Sequence, residues 1–192
     1  MTPTTKLEAV NIILTSIGES PVNSLSSGLV DAEMAETVLD AVNRDVQSQG
    51  WHFNTENEIT LTPDISTGYT YLPANCLRLD MSKDSADKDL VQRGAKLYDR
   101  KNHTYDIKNK VSVDMVVLLP FEDIPESARR LINLRAARIF QDRAVGSTEL
   151  HGFQERDEML ALVELKDAEA DTADHNVFDN YDVYRVLDRG IN

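Results

Sequence analysis

The chain has 192 residues, 41% of them hydrophobic, with 20 Lys and Arg against 33 Asp and Glu and a formal net charge of -13. This length and apolar content suit one folded domain carrying a small insertion and exclude a wholly disordered chain. No apolar run, Met115 to Leu119 included, approaches the roughly 20 residues that span a bilayer, and the N-terminus lacks a basic region leading into an apolar stretch, so neither a membrane anchor nor a secretory signal is expected. The single cysteine, Cys76, excludes an intrachain disulfide and a zinc site built on several thiols. The acidic balance also argues against nucleic acid as the main partner, because a duplex binder gains affinity by neutralising phosphates with Lys and Arg. Residues 148–192 hold 12 acids and 4 bases, so the last quarter of the chain carries most of the imbalance.

Thr5-Lys6-Leu7-Glu8 reads as a capping box for a first helix, with Leu7, Val10, Leu14 and Ile17 at helical spacing and Gly18 as the stop. Ala9 and Ile12 fall off that stripe, so this helix is expected to have neighbours on two faces. Residues 19–30 are a loop by composition. Asp31 then caps a second helix, with Met34, Ala35, Val38, Leu39, Val42 and Val46 facing the core, Glu33, Glu36, Asp40, Asn43, Arg44 and Gln47 facing out, and Gly50 ending it.

From Trp51 the period changes to two. Short β pieces are expected at Ile59–Leu61, Tyr69–Tyr71, Leu77–Leu79, Leu90–Val91, Lys96–Tyr98, Thr104–Ile107 and Val111–Leu119, and residues 82–88 read as an exposed loop tip. Pro125, between Asp123 and Glu126, opens a third helix that Gly146 stops. Ser147 or Thr148 caps a fourth, to about Ala170, with Leu150, Phe153, Leu160 and Val163 as its apolar stripe; so short a junction implies an antiparallel hairpin. The expected fold class is α+β. A four-helix core of two N-terminal and two C-terminal helices (1–50 and 120–173, discontinuous) holds a small, mostly antiparallel β insertion (51–119), and an extended C-terminal tail (174–192) follows.

No residue pattern supports catalysis, a cofactor or a metal. His52, His103, His151 and His175 lie far apart without a ligand spacing, Asp84, Asp87 and Asp89 fail the calcium-loop pattern, and no phosphate-binding glycine loop is present. Paired carboxylates for glycoside hydrolysis carry little weight in a chain with 33 acids. Two places say more. The third helix carries Arg129, Arg130, Arg135, Arg138 and Arg143, with Arg135 inside the face formed by Ala128, Leu131, Ile132, Ala136 and Ile139. A guanidinium held against apolar surface needs a carboxylate. The fourth helix offers Glu155, Asp157, Glu158 and Glu164, so Arg130, Arg135 and Arg138 are expected to pair with them, either within the chain or between subunits. In the tail, Val177, Tyr181, Tyr184 and Leu187 recur at helical spacing beside Phe178. So short a segment does not hold a helix alone in water, and its apolar face invites an outside groove.

The blocks Ala9-Val10-Asn11, Ile17-Gly18-Glu19-Ser20-Pro21-Val22 and the stretch from Asn43 through Gln47, Gly50 and Trp51 to Asn54 closely resemble the tail tubular protein A family of short-tailed bacteriophages. Ile124-Pro125-Glu126 opening an arginine-rich helix, with Phe140, Gly146 and the acidic helix after it, is similar to that family too. The resemblance implies a structural virion protein made in the bacterial host cytoplasm. As a head-to-tail adaptor it would form a dodecameric ring of identical copies, dock under the portal protein and receive the tubular nozzle protein on its other side. DNA would pass through the lumen without specific binding. On this reading the tail residues Val177, Phe178, Tyr181, Tyr184 and Leu187 engage the portal, and the β insertion faces the nozzle or the ring exterior. The alternative is a glycan hydrolase carried on the tail, whose mark would be two facing carboxylates in a cleft.

Overall fold

The computed structural model describes residues 2–85 and 88–172, apart from the side chain of Asp84. Helix α1 spans Lys6–Thr15. Its capping box is formed: the Glu8 N–H donates to Thr5 Oγ1 at 3.3 Å and the Thr5 N–H to Glu8 Oε2 at 2.8 Å, a device worth about 1 kcal/mol. Ala9, Val10, Ile13 and Leu14 are buried, whereas Ile12 is exposed, so the second apolar side of this helix is smaller than its sequence suggests. Lys6 ties it to the next helix through Glu36 at 2.8 Å and Asp40 at 2.9 Å.

Helix α2 spans Val30–Gln47 and buries Ala35, Val38, Leu39, Val42 and Val46. Three sequence expectations change here. Leu29 is the cap, without a side-chain bond, and Asp31 lies in the first turn, where its charge meets the positive end of the helix. Met34 is 52% exposed. Asn43 and Gln47, read as outward, are buried because the chain returns over them: the Leu119 N–H donates to Gln47 Oε1 at 2.8 Å, and Gln47 Nε2 donates to the Leu119 carbonyl at 3.0 Å.

The β part holds two antiparallel sheets. Strands β1 (Thr55–Leu61), β2 (Cys76–Met81) and β5 (Val111–Val117) form one in the order β1-β5-β2, while β3 (Leu90–Arg93) and β4 (Lys96–Asp99) form a hairpin. Central β5 buries Val111, Val113, Met115 and Val117 on one face, the alternation of an antiparallel strand packed on a core, and Val116 on the other. Residues 69–71 and 104–107 make only isolated bridges. The expected loop tip is partly interior: Ser82 and Ser85 are buried, and the Ser112 N–H donates to Ser85 Oγ at 3.0 Å.

Helices α3 (Glu126–Ala144) and α4 (Thr148–Thr172) form an antiparallel pair, with Arg130 opposite Glu164, Arg138 opposite Glu158 and Asp142 opposite His151. Helix α3 also packs on α1 and α2. Its residues Ala128, Leu131, Ile132, Ala136 and Phe140 sit in a core shared with α1, α2 and, from α4, Ala161 and Leu165. A second cluster fills the β part, and Leu119 packs against both. The expected stripe of α4 is overturned: Leu150, Phe153, Leu160 and Val163 are 41%, 72%, 52% and 51% exposed. The reason is Arg135 and Arg138 of α3, which demand that the facing side of α4 carry Glu158 beside Ala161 and Leu165, with Glu164 at its rim. The larger apolar residues are turned outward.

Candidate assembly interface

The α3–α4 seam is built around one carboxylate. Arg135 Nε donates to Glu158 Oε1 at 2.6 Å, and Arg138 Nε donates to Glu158 Oε2 at 2.7 Å. The Glu158 side chain is 13% exposed and those of Arg135 and Arg138 are 16% and 21%, so the triad is largely withdrawn from water. Burial pushes the Glu158 carboxyl up, but the hydrogen bonds from Arg138 and Arg135 more than reverse it and hold it below the ordinary glutamate value. The same bond raises Arg138. Arg135 reaches further, to Asp45 of α2 at 3.7 Å, and Arg138 to Asp142 at 3.6 Å, which also accepts His151 Nδ1 at 2.9 Å. Arg130 meets Glu164 at 2.8 Å on the exposed rim, where a pair contributes little. The arginines anticipated as partners of α4 thus meet Glu158 and Glu164 of their own chain. Glu155 and Asp157 are exposed and form no ion pair among the described residues.

Helix α3 is the middle layer. Arg129 and Arg138 lie nine residues apart, about 180° around the helix axis at about 100° per residue. Arg138 points to α4. Arg129 points to the start of α1: it is 8% exposed and donates to the carbonyls of Thr4 at 2.8 Å, Ile124 at 2.9 Å and Glu122. The Thr4 N–H in turn donates to Glu126 at 2.9 Å. Sequence reasoning treated Arg129 as one more base in a basic helix; its neighbourhood on the helix surface, between Ala136 and Phe140, is the signal that it lies inside.

The sequence blocks that carried the resemblance have structural work to do. Asn11 clamps the loop after α1, donating to the Val22 carbonyl at 2.9 Å and accepting the Val22 N–H at 2.7 Å. Asn54 Nδ2 donates to the carbonyls of Gln47 and Val117, both at 2.9 Å, and Trp51 Nε1 donates to the Val46 carbonyl at 2.8 Å. These residues knot the end of α2 to β5, where the helical and β clusters meet. Gly50 sits there at φ +79°, and a Cβ would approach Arg78 Nη2 to 2.6 Å and Val116 Cγ2 to 3.0 Å.

His52, opening a short 3-10 helix (His52–Asn54), and His103, in a turn, are exposed, and His175 and Asp87 lie outside the described residues. Among the described residues no group of three or more His, Cys, Asp or Glu is placed to hold a metal ion, and no helix is long and apolar enough to cross a membrane. A cleft of about 570 Å³ opens beside β3 and β4, lined in part by Asp89, Asp99 and Asp106 with Lys88, Lys101 and Lys108. Hydrogen bonds from the Asn102 backbone and side chain hold the Asp99 carboxyl below the ordinary range, the reverse of what a general acid needs. The proposed portal residues Val177, Phe178, Tyr181, Tyr184 and Leu187 lie outside the described residues.

What the geometry offers is a sandwiched helix locked by internal ion pairs and an outer helix with an uncovered apolar side, the anatomy of a building block. The family described as tail tubular protein matches residues 7–175, and the chain belongs to that family, a structural component of bacteriophage tails. It is 27% identical over 164 residues to a curated relative, tail tubular protein A of Klebsiella phage KP34, a match covering 84% of this chain and 86% of the relative.

Proposed function

We propose that the chain is a non-enzymatic head-to-tail adaptor. Copies form a ring, a dodecamer in the virion, between the portal protein and the tubular nozzle protein, and DNA passes through the lumen without being held. The observation that carries this reading is the outward side of α4. Phe153, at 72% exposed, and Leu160 and Val163, at 52% and 51%, are residues that a self-sufficient domain keeps inside, on a chain that belongs to a tail family. The charge supports the lumen: at -13 per copy, the ring repels passing DNA rather than adsorbing it. Residues Val177, Phe178, Tyr181, Tyr184 and Leu187 supply the portal contact through the apolar spacing of their sequence.

The test is to mix the purified chain with portal oligomers and with portal plus a chain lacking residues 174–192. Binding of the full chain and loss of binding on truncation are expected. Equal binding by both would remove the portal role of the tail. The hydrolase alternative requires one carboxyl kept protonated near neutrality, and the depressed Asp99 of the β-side cleft does not supply it.

A further inference from the structure

The outward stripe of α4 has an acidic setting. Phe153, Met159, Leu160 and Val163 are 72%, 69%, 52% and 51% exposed. At about 100° per residue they fall within about 120° of one another, on the side turned away from Ala161 and Leu165. Glu149 and Asp167, both exposed, bracket the stripe and Arg156 lies within it; Thr148–Thr172 as a whole holds eight acids against two bases, with Glu158 and Glu164 paired to α3.

The β3–β4 hairpin has the opposite character. Residues 88–110 hold seven bases against three acids, a local charge of +4 in a chain of -13. Four tyrosine rings run through this region in edge-to-face contact: Tyr71 with Tyr69 at 6.4 Å, Tyr69 with Tyr105 at 6.1 Å and Tyr105 with Tyr98 at 4.9 Å between centroids. Arg93 lies over Tyr98 at 3.6 Å and Lys96 over Tyr69 at 4.3 Å. Tyr71 is 50% exposed and Arg93 is exposed, so rings and cations together reach the surface. Tyrosine and arginine are the residues around which protein interfaces concentrate their binding energy.

We infer that these two surfaces meet between copies: the α4 stripe of one subunit docks on the tyrosine and cation face of the β3–β4 hairpin of the next. This contact rests on the ring reading above and names its subunit interface. Charge selects the pairing. Two α4 stripes face to face would set Glu149 and Asp167 of one copy against those of the other with Arg156 alone on the stripe to offset them, which disfavours a twofold dimer, whereas the +4 hairpin complements the acidic helix. Because the two patches differ, the contact is head-to-tail, and such contacts propagate until rotation closes a ring.

Two variants test it on the full chain with portal oligomers, read by electron microscopy: Phe153→Ser with Leu160→Ser on α4, and Arg93→Glu on the hairpin. All three substitutions are at exposed positions, and circular dichroism and thermal melting confirm that each variant is folded. Wild type is expected to form rings, and each variant to lower ring yield about tenfold or more. As a second readout, chains carrying Arg93→Cys and Leu160→Cys, each with Cys76→Ser, are mixed during assembly and treated with a bis-maleimide. Linked 93–160 pairs between the two chains are expected. Wild-type rings with undiminished rings from both variants would overturn this interface and leave the adaptor reading standing. Loss from the α4 variant alone would mean that something other than the hairpin covers the stripe. A hairpin variant that still forms rings but retains less DNA would assign the hairpin to nucleic acid instead. Failure of wild type to form rings would overturn the reading on which the interface depends.

Discussion

Arg135 Nε donates to Glu158 Oε1 at 2.6 Å across the α3–α4 seam, and Arg138 occupies the other oxygen of the same carboxylate. One acid therefore satisfies two guanidinium groups held against apolar surface, and it sets which side of α4 faces inward.

Replacing Glu158 by Ala leaves two largely buried cations without their shared partner and should destabilise the chain by about 2 to 3 kcal/mol, read by urea unfolding. The pH dependence has a defined sign. The folded-state carboxyl is held below the ordinary glutamate range near 4.3, so on acidification the unfolded chain takes up its proton first. The contribution of Glu158 is complete above that range and is lost as pH falls through the folded value. Unfolding of Glu158→Gln should show a weaker fall in stability below about pH 4.3 than wild type; an identical pH profile would contradict the role of the ionised carboxylate.

Arg129 should matter as much, for a different reason. It serves three backbone carbonyls, of Thr4, Ile124 and Glu122, which join the start of α1 to the start of α3. Arg129→Met should lower stability by about 2 to 3 kcal/mol in denaturant melts, while Arg143→Met, at an exposed position, should change it by less than about 0.5 kcal/mol.

Much of the fold was legible from caps and periods. The Thr5–Glu8 box, the change of period at Trp51 and the turn at Gly146 are local signals, and each coincides with an element boundary or connection. What escaped depends on contacts distant in sequence. Gln47 looks solvent-facing on α2 until Leu119 returns over it, 72 positions later. The α4 stripe of Leu150, Phe153, Leu160 and Val163 has the period of a buried face, but its side is decided by the arginines of α3. Of the α3 arginines only Arg135 stands out in sequence, by its place in the apolar face, yet Arg129 is spent on backbone carbonyls and Arg138 shares a carboxylate with Arg135. The surfaces that join copies are the least legible, because a face buried in assembly carries the same apolar residues as a face buried in a core.

That ambiguity has a simple check on α4. Leu165 is fully buried and Leu160 is 52% exposed. Leu165→Ala should cost about 2 to 4 kcal/mol in the isolated chain, and Leu160→Ala less than about 0.7 kcal/mol. Similar losses for the two, read by denaturant unfolding of the free chain, would place the stripe in the core after all.

Gly50 tests the junction between the helical and β clusters. Gly50→Ala meets both the strain of φ +79° and the close approach of Val116, and should destabilise by about 1 to 2 kcal/mol in thermal melts. A neutral substitution would mean that the knot around Trp51 and Asn54 yields readily.

Adaptor function is tested most directly by electron microscopy of the purified chain mixed with portal oligomers. The expected image is a ring of this protein capping the portal. Portals left bare in the presence of excess folded chain would contradict the adaptor function.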